Sequence, residues 1–226
     1  MTAIFDALVE EYPAWWTDFL GEHSHVGGEE ATRWLLERAA LTPGARMLDA
    51  GAFVGAAARL AMAAGSLAFA TDVNSDFLRA GRAMPGGASV TWLAASNHKL
   101  PFRDGAFGSV WCLDSYLAPR EFSRVAAARA TLCLSSEVPT DGRGGMEAFI
   151  EEWAQYGWEL RAHRALSNEA TQTWRRAEAE LVRKRPRYES RYGTRPYLAQ
   201  LDLVAGLVRS YERNEQGHGL FVFGRG

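Results

Sequence analysis

Residues 46–61 read RMLDAGAFVGAAARLA, and no other stretch constrains the fold as tightly. A short apolar run meets a glycine-punctuated turn, and an alanine-rich segment of helical character follows at once. Glycine lets a chain turn sharply and brings backbone N–H groups close to a ligand, while the helix that follows offers its positive end. Such a strand–turn–helix unit belongs to α/β proteins and suits a nucleotide-like ligand. Ordinary α/β proteins also place glycine between strand and helix, so the turn alone does not decide a function.

From Pro43 onward, short apolar runs alternate with longer helical ones, the pattern of a parallel sheet flanked by helices. The spacing predicts strands at 46–50, 67–72, 89–93, 109–113 and 131–136, with helices near 55–64, 75–83 and 119–129. A further strand is expected after Gly157 in WELRAHRAL, then a helical tract from about 168 to 213, then a last strand in GLFVFGR. The fold class is therefore α/β: a Rossmann-like, mostly parallel sheet of seven strands with helices on both faces. The long tract carries Trp174, Leu181, Tyr188, Tyr192, Tyr197, Leu201 and Leu207 among many charges. It is too long for a plain connection and is expected to cap one edge of the sheet.

Ahead of the sheet, Phe5, Leu8, Val9, Tyr12, Trp15, Trp16 and Phe19 fall at helical spacing, predicting an amphipathic helix broken near Pro13. GGEEATRWLLERAA (27–40) reads as a helix with acids in its first turn, which suits the helix dipole.

A length of 226 residues, 47% of them hydrophobic, allows one sizeable core, and a single domain over 1–226 is expected. The formal net charge of -2 supplies no field to draw a phosphate backbone, so nucleic acid is not an expected partner. Cys112 and Cys133 sit in apolar runs and read as small buried hydrophobes in a reduced compartment. The N-terminal stretch lacks a basic leader with an apolar core, and no long uncharged apolar run occurs. A cytoplasmic protein without membrane contact, monomeric or homodimeric, is the expectation.

Beyond the glycine turn, LAFATDVNSDFL puts Asp72 at the tip of the second strand. There a carboxylate either accepts hydrogen bonds from both hydroxyls of a ribose or caps the helix at 75–83. With these pieces in place the chain resembles the class I S-adenosylmethionine-dependent methyltransferases, in particular their small-molecule branch. The resemblance rests on MLDAGAFVG (47–55), ATDVNSDFLRAGR (70–82), LPFRDGAFGSVWCLDS (100–115) and the terminal GHGLFVFGRG. LPFRDGAF is its most specific piece, because glycine-turn geometry alone does not account for it.

The resemblance implies a last strand antiparallel to the rest, S-adenosylmethionine as cofactor, S-adenosylhomocysteine as product, and a small-molecule methyl acceptor as partner. It also implies roles. Asp49 would lie near the methionine end, and Gly51 and Gly55, with Ala50, Ala52 and Phe53 in the same turn, would let the chain pass beneath the cofactor. Asp72, with Val73 next to it, would hold the ribose. Ser96, Asn97 and His98 would lie by the adenine, and Leu113 and Asp114 would face the sulfonium and the acceptor. Two positions depart from the family pattern: Phe53 replaces the middle glycine of the first motif, and Ser96 or Asn97 stands where an acid often meets the adenine amino group. An asparagine amide oxygen can accept the same hydrogen bond.

Methyl transfer from a sulfonium is an in-line displacement, so the protein works mainly by aligning the reactants in a dry pocket, with a base needed only if the acceptor carries a proton. His23, His25, His98, Asp114 and Tyr116 are the candidate bases and orienters, His for its ordinary pKa of about 6.5. The pair His23 and His25 lacks a clear third ligand, so no metal is expected.

In the resembling family an N-terminal segment folds over the cofactor and an insertion before the last strand forms a lid. Residues 1–40 and 166–215 are the expected counterparts, with Trp15, Trp16, Tyr188, Tyr192 and Tyr197 forming either an aromatic wall or the core of the cap. The run Arg183, Lys184, Arg185, Arg187, Arg191 and Arg195 either clamps an anionic acceptor or forms a solvated face balanced by Glu178, Glu180 and Glu189. Two other functions compete: a protein that binds the same cofactor without transferring methyl, and a nicotinamide-dependent oxidoreductase. GAFVG lacks the glycine spacing of the dinucleotide fingerprint, which counts against the second.

Overall fold

The computed structural model describes residues 19–140 and 145–225, and for Pro139 the backbone only. The helix expected over 1–20, with Trp15 and Trp16, falls outside the described residues except for Phe19 and Leu20.

A helix α1 (Gly28–Arg38) precedes strand β1 (Arg46–Ala50), and then come α2 (Ala56–Ala63), β2 (Leu67–Asp72), α3 (Ser75–Ala83) and β3 (Thr91–Ala94). The second half runs β4 (Phe107–Leu113), α4 (Pro119–Val125), β5 (Ala126–Pro139), α5 (Gly145–Ala154) and β6 (Trp158–Ala165). It closes with α6 (Ser167–Arg183), α7 (Arg185–Tyr192), α8 (Thr194–Glu212) and β7 (Gln216–Arg225). The seven strands form one sheet in the order β3-β2-β1-β4-β5-β7-β6. Strand β7 runs antiparallel to both of its neighbours, and the remaining pairs are parallel.

Parallel strands covered on both faces are apolar almost throughout, and here Met47, Leu48, Val110, Trp111 and Cys112 are fully buried. One face of the sheet packs against α1, α2 and the helices α6–α8, through Leu35, Ala57, Leu181, Tyr188, Tyr197 and Val204. The other packs against α4 and α5 through Phe122, Phe149 and Trp153. The strand order reverses between β1 and β4, so their C-terminal ends open a crevice, the usual ligand position in sheets of this kind.

Three expected elements differ. The helix predicted to 129 ends at Val125, and β5 begins at Ala126, because Ala126 pairs with Phe107 and tertiary pairing overrides the helical leaning of the alanine run. Helix α5 was not expected; it stands on Phe149 and Trp153, which bury against the sheet. The tract from 168 to 213 is three helices, broken at Lys184 and Gly193, and Gly193 adopts φ +87°.

Candidate active site

At the C-terminal ends of β1, β2, β4 and β5 lies a cavity of about 600 Å³. The tips of β1 and β2 contribute Asp49, Asp72 and the glycine turn, and those of β4 and β5 contribute Leu113, Asp114, Ser136 and Glu137. Trp174, Leu203 and Leu207 of α6 and α8 form a wall, with Leu20 and His23 at the N-terminal side.

The turn after β1 spends its own amides. Gly51 and Ala52 each donate an N–H to the Thr71 carbonyl (2.8 Å), and Gly55 donates to Ala52 (2.7 Å). The Phe53 N–H donates to Asp72 Oδ2 (3.0 Å), and Asn74 donates to Asp72 Oδ1 (2.9 Å). The Val73 amide also bonds this carboxylate, so Asp72 is fixed by three backbone donors and keeps about one acceptor position towards the cavity, since an ionised carboxylate accepts about four hydrogen bonds. It does not cap α3: Asn74 does, its side chain accepting from Asp76 N. Asp49, buried beneath the turn, accepts from the Ala58 N–H at the start of α2 (3.1 Å). Burial, opposed by that hydrogen bond and aided by the nearby Asp72, lifts its pKa to about 7.

Phe53 holds a glycine-like conformation, with φ +53° between Gly51 at +73° and Gly55 at +67°. Its ring is buried edge-on against Phe77, the centroids 4.8 Å apart, so the missing glycine leaves the path of the turn unchanged. Phe53→Gly would relieve about 1–2 kcal/mol of left-handed strain and forfeit about 3–5 kcal/mol of buried ring. A net destabilisation of about 1–4 kcal/mol is expected in denaturant unfolding, whereas a more stable variant would show that the ring contributes nothing to the core.

Asp114 follows β4 in a left-handed conformation, φ +47°. Its side chain is 19% exposed although the residue opens onto the cavity. Oδ1 accepts from Ser135 Oγ (2.7 Å) and lies 3.0 Å from His218 Nε2, and Oδ2 accepts from the Val26 N–H (3.0 Å). Burial alone would raise its pKa, but His218, then His25 and the Val26 amide, outweigh it and hold the acid at about 2. His218 is buried on β7, and its Nδ1 meets Tyr211 Oη of α8 at 3.0 Å. Burial lowers its pKa, and Asp114 reverses the effect to leave it raised.

The two N-terminal histidines share one hydroxyl. His25 Nδ1 lies 2.9 Å from the Val26 carbonyl and so carries the proton, leaving Nε2 to accept from Thr32 Oγ1 at 2.7 Å. The Thr32 oxygen then accepts from His23 Nδ1 (2.8 Å), which leaves the His23 lone pair on Nε2. Burial, with His25 beside it, lowers the His23 pKa to about 4, so at neutral pH this ring is an uncharged acceptor.

Of the residues singled out in the sequence, the cavity gathers His23, Asp49, Gly51, Ala52, Phe53, Asp72, Val73, Leu113 and Asp114. Ala50 and Gly55 support the turn from behind, and His25 is buried behind His23, with its pKa pushed down by burial. Asn97 is buried with its amide donating to the Tyr116 carbonyl (2.8 Å), and the Ser96 hydroxyl accepts from His98 N (3.3 Å). Tyr116 and His98 lie ring against ring, 4.2 Å between centroids, and line a separate shallower cavity of about 460 Å³. Tyr188 and Tyr197 are core residues, 1% exposed each, and the ring wall comes from Phe53, Phe77 and Trp174.

None of the six basic residues of 183–195 lines the cavity; Arg183 and Lys184 pair with Glu180, and Arg185 pairs with Glu189. Thr32, Ser135, Tyr211 and His218 carry no local signal of a site, apart from a lone histidine between glycines in an apolar strand.

The architecture is shared with solved structures. Over 96% of this chain and 98% of its own, a Galdieria sulphuraria protein named as a sarcosine dimethylglycine methyltransferase superposes with a TM-score of 0.85 at 15% identity. The fold is that of the class I methyltransferases. A Haemonchus contortus phosphoethanolamine N-methyltransferase, solved with S-adenosylhomocysteine, gives a TM-score of 0.77 at 12% identity over 100% of this chain and 60% of its own. The [4+2]-cyclase SpnF gives 0.79 at 18% identity, over 98% of this chain and 93% of its own. No protein-family model matches the sequence, and no curated protein matches it.

Proposed function

We propose that the protein is an S-adenosylmethionine-dependent methyltransferase acting on a small-molecule acceptor. The observation that carries this reading is Asp72, fixed at the tip of β2 by the Phe53 and Asn74 amides and left with acceptor capacity facing the cavity. A ribose diol needs such a carboxylate. The amides of Gly51, Ala52 and Phe53 are committed to Thr71 and Asp72 of β2 and that of Gly55 to Ala52, so the glycine turn itself offers a pyrophosphate few free donors.

Asp72 would hold the ribose, Asp49 the ammonium of the methionine portion, and the turn over Gly51 the space between them. When bound, the cofactor supplies a methyl carbon activated by positively charged sulfur. The chain's own contribution is alignment and exclusion of water: Leu113 and Asp114 flank the reacting end, and Trp174, Leu203 and Leu207 cover it as a cap. His23, neutral and with its lone pair on Nε2, would accept a hydrogen bond from the acceptor and so orient it.

If Asp49 meets an ammonium, its ionised form binds best. With a pKa of about 7 in the free protein, about one molecule in ten is ionised at pH 6 and nearly all are at pH 8. Affinity for S-adenosylhomocysteine, measured by calorimetry, should therefore rise about tenfold from pH 6 to pH 8, and Asp49→Asn should flatten the profile. A pH-independent affinity in the native protein would remove Asp49 from the contact.

The deciding assay incubates protein and S-adenosylmethionine with acceptor mixtures and follows S-adenosylhomocysteine and methylated product by mass spectrometry. Stoichiometric formation of the two supports transfer. The same fold carries a cyclase, and tight cofactor binding without turnover on any acceptor would favour that non-methylating alternative.

A further inference from the structure

The geometry points to an amine on an apolar body as the acceptor, with its nitrogen held by Asp114. This inference rests on the cofactor reading, because Asp72 and the β1 turn are assigned to the cofactor and the β4 and β5 side of the cavity is left for the acceptor.

Three donors already hold the Asp114 carboxylate: the Val26 amide, the Ser135 hydroxyl and the His218 ring. About one of its four acceptor positions is left, and only an N–H or O–H can use it. The wall opposite is Trp174, Leu203 and Leu207, which favours an aliphatic or aromatic body. No Lys or Arg side chain lines the cavity among the described residues. The sequence before Arg33 contains no Lys or Arg, and its histidine in the cavity, His23, is uncharged at neutral pH.

A carboxylate or phosphate on the acceptor would thus enter beside Asp114 and Glu137, where no Lys or Arg among the described residues stands to pair with it. His218 does not supply a cation: it is buried behind Asp114, and its charge, when protonated, offsets that carboxylate alone. An ammonium, by contrast, is attracted by the carboxylates of Asp114 and Glu137 on this side of the cavity. It sheds one proton to solvent through the open mouth before reaction. The nitrogen lone pair then bonds the methyl carbon as the carbon–sulfur pair returns to sulfur, so the positive charge arrives on nitrogen next to Asp114, where it is stabilised.

Calorimetry on the protein saturated with S-adenosylhomocysteine tests this with three probes of one shape: 2-phenylethylamine, 2-phenylethanol and phenylacetate. The amine should bind at least tenfold tighter than the carboxylate and tighter than the alcohol, and Asp114→Asn should abolish its advantage over the alcohol. The native-protein comparison stands without the variant, should Asp114→Asn fold poorly. An amine no tighter than the carboxylate, whether both bind or neither does, overturns the inference while leaving the cofactor reading intact. Failure of S-adenosylhomocysteine to bind in the first step counts against the cofactor reading instead, and the three probes are then compared on the free protein.

Discussion

Asp72→Ala is expected to weaken S-adenosylhomocysteine binding about 10- to 150-fold. A hydrogen bond to a charged group contributes about 1.5–3 kcal/mol, and a ribose diol would lose its only fixed carboxylate at the tip of β2. The Ala variant also strips partners from the Phe53 and Asn74 amides. Some loss of thermal stability should accompany the loss of affinity, and Asp72→Asn, which keeps an acceptor oxygen for those amides, separates the two effects. The Asn variant should recover stability while binding remains at least several-fold weaker than in the native protein. Unchanged affinity in a folded Ala variant would show that the cofactor is not held at this carboxylate.

Gly51→Ala should be strongly destabilising. At φ +73° a side chain is strained whatever its surroundings, and its Cβ would stand 1.9 Å from Ser115 Oγ and 2.5 Å from Ser115 Cβ. The second contact cannot be relieved by a rotamer change, so the turn or the β4 tip must move. Left-handed strain of about 1–2 kcal/mol and overpacking of about 1–3 kcal/mol add to a destabilisation of about 2–5 kcal/mol. For a chain of this size that is about 5–15 °C in Tm. Because Ser115 follows Asp114, cofactor and acceptor binding should both suffer. Ser115→Gly in the same chain removes both clashing atoms and should restore part of the stability, leaving the dihedral strain. A Gly51→Ala protein with native Tm and native affinity would show that the turn is far more compliant than its contacts imply.

The strand–turn–helix at 46–61 and the Asp at the next strand tip were legible because local chemistry dictates them: period, glycine, and a carboxylate at a strand end. The same holds for the strand boundaries of β1 and β2, read to the residue. Where pairing partners lie far apart in sequence, local signals misled. Residues 126–129 read as helix by propensity but belong to β5, whose first residue, Ala126, pairs with Phe107 of β4. Asp114 could be placed at the tip of β4, yet its electrostatics depend on His218, 104 positions later and brought to it only by the sheet order β4-β5-β7. Tyr116 looked like a site residue by proximity to Asp114, but the left-handed turn at Asp114 is followed by residues that face the other cavity with His98. Histidine chemistry was the least legible. A free imidazole titrates near neutrality, whereas burial, with His25 beside it, makes His23 a neutral acceptor with a pKa of about 4.

The most direct test of the account is a calorimetric titration of the native protein with S-adenosylhomocysteine at pH 8. The account predicts binding of one ligand per chain with a Kd in the micromolar range or below. No heat of binding to a well-folded sample, with thermal protection by a nicotinamide dinucleotide instead, would contradict it.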